Sequence, residues 1–244
     1  MAERISVDHP AMMKRKRTYR IGKYTFEFLS IFIAVISAFA LNNWNDNRRD
    51  RLAENKILTE IYNGLENDLN DVRANSQGHS SGLQAVAFFM DVLANNTAQT
   101  DSFLIHYFNL TRDFISIQNT SGYETLQSKG LELIRNDALR TAIISLYEYD
   151  YTTLKKLEEE YYELQFQENY FHVINAILSE YLLVNDHKQI TGISIPLELD
   201  QQEEKLLLTC LWKIQANRMF ILRYYTEIET RIIQVRGSIK AELE

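Results

Sequence analysis

Cysteine, proline and glycine are scarce in this chain. The single cysteine, Cys210, excludes an intrachain disulfide framework and a cysteine-rich zinc site. It does not fix the compartment, because many exported bacterial domains also lack disulfides. With 2 Pro and 8 Gly in 244 residues, helices meet few breakers, while Leu, Ile, Glu, Lys and Arg abound. Short catalytic motifs are missing too: there is no G-x-S-x-G, phosphate loop or dinucleotide fingerprint. His9, His79, His106, His172 and His187 show no zinc-binding spacing. Glu168 and His172 stand four apart, but a di-metal site in a bundle needs two Glu-x-x-His motifs and further carboxylates, so a surface pair is the simpler reading. Glu158, Glu159 and Glu160 read as a solvated face. These absences speak against an enzyme and imply neither cofactor nor metal.

Net positive charge is confined to one end. Arg4, Lys14, Arg15, Lys16, Arg17, Arg20 and Lys23 stand against Glu3 and Asp8, a net of +5 over residues 1–23; the whole chain is −7, so the remainder carries −12. A basic tail suits an anionic lipid surface, with Lys14, Arg15, Lys16 and Arg17 against the headgroups. The acidic remainder argues against nucleic-acid binding, which needs a basic face.

What is present is an apolar run after that tail. Residues 24–44 would form a helix about 31 Å long at roughly 1.5 Å per residue, matching a hydrocarbon core of about 30 Å. Tyr24 at one end, and Asn43 and Trp44 at the other, suit the two membrane edges. Glu27 lies one turn inside, where it can reach water, pair with Lys23 or stay protonated. A cleaved signal peptide is the main alternative, since residues 38–40 read Ala-Phe-Ala; a buried core helix would leave the basic tail unexplained. Seven basic residues before the span against Arg48, Arg49, Arg51 and Lys56 after it place the N-terminus in the cytoplasm and residues 45–244 outside. Ser30, Ala34 and Ala38 recur every four residues, with Glu27 and Asn42 near the same stripe. That spacing would let two spans approach closely, though small residues are common in spans.

The rest predicts an all-α domain over 45–244. Leu58, Ile61, Leu65, Leu69 and Val72 mark a stalk helix over 46–75, with a kink or turn at 76–82 and a loop at 94–100. Asp101 or Ser102 could cap a short helix through Phe108, and 109–120 lacks helical rhythm. Ser121 with Glu124 fits a capping box, Gly130 a helix close, and Asn136 another N-cap. Tyr147, Tyr151, Leu154, Leu157, Tyr161, Leu164, Phe171, Ile174, Leu178 and Tyr181 then form a stripe in one long helix over about 137–184; it is either core or the wall of a ligand groove. A loop at 185–200 leads to a capping box of Asp200 and Glu203 and a last helix over 201–242. There Leu207, Leu211, Ile214, Ile221, Tyr225, Ile228, Ile232, Val235 and Ile239 step at about 3.5, with Arg218 on the seam, either paired or at a rim. The two long helices would pack as an antiparallel, coiled-coil-like hairpin.

Glu27, Ala34 and Ala38 are followed by Asn42-Asn43-Trp44-Asn45-Asp46, and a second stretch holds Tyr123, Glu124, Leu126, Ser128, Gly130, Leu131, Leu133, Ile134, Asn136 and Leu139. Together the two stretches resemble a widespread bacterial family of small, single-span membrane proteins of unknown function. This span is richer in Phe, Ser and Ala than the family's. The resemblance favours a retained inner-membrane anchor and supplies no activity. Residues and resemblance together lead to a membrane-anchored interaction or scaffold protein, self-associating or bound to a membrane-protein partner. The alternative is a sensor or membrane-disrupting effector acting through oligomerisation of the span.

Overall fold

The computed structural model describes residues 11–95 and 102–244, with side chains from residue 23 onward. The side chains of Lys14, Arg15, Lys16 and Arg17, together with Asp101, lie outside the described residues. The described chain is mostly helical. In order it forms α1 (Ala11–Asn95), α2 (Phe103–Leu110), α3 (Ser121–Lys129), α4 (Asp137–Ile144), α5 (Thr152–Glu159), α6 (Phe166–Asn169), α7 (Phe171–Leu178), a hairpin of β1 (Leu182–Val184) and β2 (Ile190–Ile193), and α8 (Gln201–Leu243). Two compact units are distinguished, one ending at Ala53 and one covering Glu54–Glu244.

In the first unit, every residue of the apolar stretch is exposed, including Tyr24, Phe26, Phe28, Phe32, Ile36, Phe39 and Trp44. Its mean hydropathy reaches 1.9 over an 18-residue window, long and apolar enough to cross a membrane, and none of that window is buried. The core-helix alternative therefore does not describe this stretch.

In the second unit, α8 carries the clearest seam. Leu207, Leu211, Ile214, Arg218, Ile221, Tyr225, Ile228, Ile232, Val235 and Ile239 are all buried, at strictly alternating steps of four and three. On α1, Leu58, Ile61, Leu65, Leu69 and Val72 are buried as expected. Glu66 pairs with Arg236 and Arg73 with Glu229, so residues seven apart on each helix meet in opposite order. The Asp200 carboxylate accepts from the backbone N–H groups of Gln202 and Glu203, and Glu203 reaches back, completing the capping box. Asn136 accepts from the Leu139 N–H, and Gly130 ends α3 at φ 102°, a conformation other residues rarely adopt.

Several expectations are corrected. Residues 76–82 do not form a turn: α1 runs through them to Asn95. Their glycines serve close approach instead. A Cβ at Gly78 would collide with the Phe114 ring, and one at Gly82 with the Arg218 guanidinium. The long helix over 137–184 holds only to Glu159; residues 145–151 within it are π-helical, with Leu146, Tyr147 and Tyr151 buried. Beyond, Tyr161 is extended, and side chains take over the backbone groups. Gln165 Nε2 donates to the Glu158 carbonyl, and Asp113 accepts from the N–H groups of Phe166 and Gln167. Tyr161 is consequently exposed and the stripe breaks there.

The loop expected at 185–200 contains β2, paired antiparallel with β1 through Leu182–Ile193, Leu183–Gly192 and Val184–Ile190. Asn185 closes the turn by accepting from the N–H groups of His187 and Gln189. Ser121 is not the cap of α3: Thr120 holds that position, without a side-chain cap bond, and its hydroxyl donates to Glu124 at 2.7 Å. Ser102 precedes α2 without a side-chain cap bond.

Candidate functional site

The segment 111–120 passes without regular structure between α1, α5 and α8, and its backbone polar groups need partners. Carboxylates from the surrounding helices supply them. The Ser116 N–H donates to Glu158 Oε2 at 3.1 Å, the Ile117 N–H to Asp71 Oδ2 at 2.9 Å and the Asn119 N–H to Asp68 Oδ1 at 2.6 Å. Glu158 is buried rather than on a solvated face; it also accepts from the Ser116 hydroxyl and from Tyr225. Burial pushes the Glu158 carboxyl above its ordinary range, against the donors that favour its charge. Asp68 is pushed up to about 6, first by burial, although Asn119 and the Tyr151 hydroxyl stabilise its anion.

The start of the same segment is held by Arg218, which is completely buried. Its Nη2 donates to the carbonyls of Asn109, Leu110 and Arg112 at 3.2, 3.1 and 2.9 Å. Its Nη1 lies 3.0 Å from His79 Nδ1. A guanidinium only donates, so Nδ1 accepts and the imidazole proton sits on Nε2. Burial, and then the Arg218 charge, push His79 down to about 3, so it stays neutral. The guanidinium stacks 4.2 Å from the Phe166 ring centre. Burial lowers Arg218 only to about 10, with Asp113 opposing the fall, so it remains charged at neutral pH.

Asp68 and His79 oppose each other in their pH dependence. A carboxyl raised from 3.8 to about 6 contributes stability that is present below pH 4 and lost as pH rises through 6. An imidazole lowered from 6.5 to about 3 contributes stability present above pH 6.5 and lost as pH falls. Asp113 and Glu158, both raised, act in the sense of Asp68. Asp71, Tyr147 and Tyr151 face Asp68, and Arg218 faces His79. His79→Gln keeps an acceptor for Arg218, so urea midpoints should then rise between pH 7 and pH 5. Asp68→Asn should make them fall more steeply than in the unaltered chain. Parallel pH profiles in all three proteins would contradict this assignment.

Sequence reasoning missed Asp68, His79 and Glu158 and left Arg218 open. One signal was available. Carried past Val72, the seam on α1 continues through Asn75, His79, Gly82, Val86 and Phe89 at the same steps, which puts a histidine and a glycine into the core.

Of the second motif, Tyr123, Leu126, Ile134 and Leu139 are buried, and Leu133 packs against them. Tyr123 stacks on Tyr147 with ring centres 4.5 Å apart, and its hydroxyl donates to Glu148. A Cβ at Gly122 would strike Ile61 of α1, so α3 sits directly on that helix. On the span, Glu27, Ser30, Ala34, Ala38, Asn42 and Asn43 are all exposed. Ser30 donates to the Glu27 carbonyl, Glu27 lies 3.9 Å from Lys23, and Asn42 donates to Asp46. Glu168 and His172 are both exposed, and among the described residues no three His, Cys, Asp or Glu side chains gather as a metal site.

Beside the segment 111–120 lies a groove of about 410 Å³, with Tyr147 and Tyr151 at its floor and Glu124, Glu148 and Lys155 among its walls. No protein-family model matches the chain, and neither does any curated protein or solved structure.

Proposed function

We propose that this chain is a single-span membrane protein that holds a helical interaction domain at the bacterial inner membrane and works through association rather than catalysis. The observation that carries this reading is the unburied apolar helix of the first unit. Twelve large apolar or aromatic side chains from Tyr24 to Trp44 are exposed. Each gains roughly 1.5–3 kcal/mol on leaving water. Together they outweigh the ~5–15 kcal/mol that holds a domain folded, so lipid is the natural cover. The basic residues before the span put its N-terminus in the cytoplasm and residues 45–244 outside. The opposed order of the Glu66–Arg236 and Arg73–Glu229 pairs supports an antiparallel bundle built on α1 and α8. The resemblance to the single-span bacterial family belongs to this proposal.

Self-association would run through Ser30, Ala34 and Ala38. The Ser30 hydroxyl is turned back on its own helix, so close backbone packing, not a hydrogen bond from Ser30, would supply the contact. Crosslinking of the full chain in membranes tests this. Ala34→Leu and Ala38→Leu should each abolish most of the dimer, while Val35→Leu should leave it intact. Unchanged crosslinking in both alanine variants would remove the interface. Reporters that are active on only one side of the membrane, fused to the C-terminus, test the orientation.

A further inference from the structure

We propose that the groove beside the segment 111–120 is a binding site for an aliphatic amine, with the ammonium held by Glu148 and Glu124 and the carbon chain lying on tyrosine and isoleucine. About 410 Å³ falls in the range of small-molecule sites, roughly 300–1,000 Å³. The two carboxylates assigned to the ammonium are held in place by one oxygen each. Glu148 Oε1 accepts from the Tyr123 hydroxyl at 2.9 Å and from Gln127 Nε2 at 2.8 Å. Glu124 Oε1 accepts from the Thr120 hydroxyl at 2.7 Å. These bonds engage Oε1 of each carboxylate and not Oε2. Each carboxylate is therefore oriented in advance, with an acceptor left for a cation.

The rest of the groove suits carbon. Tyr147 and Tyr151 are buried with their hydroxyls directed elsewhere, to the Asn119 carbonyl and to Asp68, so they offer ring surface. Ile115 and Ile117 stand at the rim, and Ile117 is 79% exposed, beside the acidic wall rather than in the core. An anion would meet Glu124, Glu148 and Glu159 with only Lys155 to balance them, and Lys155 leans to Glu159 at 3.9 Å. A hard divalent cation wants six or more oxygen ligands, and no metal-binding cluster forms here among the described residues. An organic ammonium needs only a few oriented acceptors and gains from the apolar surface. Lys155, the basic residue of the lining, is then a competing positive charge in the same groove. An occupied groove would bear on segment 111–120 directly, since Ile115 and Ile117 belong to both. The site does not depend on the membrane reading.

Calorimetric titration of the full chain in detergent with spermidine tests the proposal. A saturable single site is expected. Glu148→Gln should weaken binding roughly tenfold. Lys155→Gln should tighten it a few-fold, and Glu204→Gln, an exposed charge on α8, should leave it unchanged. Magnesium at equal ionic strength should not displace the amine. No saturable binding, equal weakening by Glu204→Gln and Glu148→Gln, or displacement by magnesium would each overturn the site in favour of diffuse surface charge.

Discussion

Replacing Arg218 by methionine should lower the unfolding free energy by about 4 kcal/mol. At roughly 2–4 °C per kcal/mol for a domain of this size, the full chain should melt about 10 °C lower. Methionine restores most of the volume but none of the donors. Three carbonyls of the stretch 109–112 and His79 Nδ1 would lose their donor, the Leu110 carbonyl and His79 Nδ1 in a buried setting and the other two part-buried. Unsatisfied buried acceptors cost about 1–3 kcal/mol each, and relaxation of the segment toward water recovers part of the sum. Arg218→Lys keeps the charge but not the fork that serves His79 and the carbonyls together, so it should fall between the two. Thermal unfolding followed by circular dichroism decides this. A loss under 1 kcal/mol in Arg218→Met would mean that the guanidinium does not hold the segment. Gly82→Val tests the other side of the contact, since any Cβ there displaces the same guanidinium.

Glu158→Ala should cost about 3 kcal/mol by a different route. Alanine leaves the Ser116 N–H, the Ser116 hydroxyl and the Tyr225 hydroxyl without an acceptor and opens a void beside them. The loss should be local, because Glu158 anchors the middle of the segment while Asp68 and Arg218 hold its ends. Amide exchange at Ser116 and Ile117 should speed up about a hundredfold, the equivalent of about 3 kcal/mol, with α8 little changed. Glu158→Gln retains an acceptor and sheds the charge that burial already disfavours, so it should lose less than a third as much. If glutamine and alanine were equally damaging, the anchor would be the charge and not the hydrogen bonds.

The difference between what the sequence disclosed and what it concealed follows from the range of the interactions. The seams from Leu207 to Ile239 and from Leu58 to Val72 were legible, because burial of one helix face imposes a period that local spacing records. The caps at Asn136 and Asp200 and the close at Gly130 were legible because each is completed within four residues. The anchoring of 111–120 was not. Its bonds to Glu158, Asp71 and Asp68 join residues 42, 46 and 51 apart, and no local pattern marks a glutamate that turns inward. Likewise the break after Glu159 depends on Asp113, 53 residues from the Phe166 N–H it accepts. The glycines at 78 and 82 were misread for a related reason. Locally they are helix breakers, and only the approach of Phe114 and Arg218 explains why they sit inside a helix.

An amine in the groove would also shift the balance toward a sensor, because the ligand would touch the segment that the buried network holds in place. That remains secondary to the anchor itself. Alkaline extraction of membranes carrying the full chain tests the anchor most directly. The unaltered chain should stay in the membrane pellet. Ile33→Arg with Ile36→Arg, at about 2.5–3.5 kcal/mol of insertion cost for each arginine near the centre of the span, should move it to the soluble fraction. Release of the unaltered chain by alkali would contradict the account.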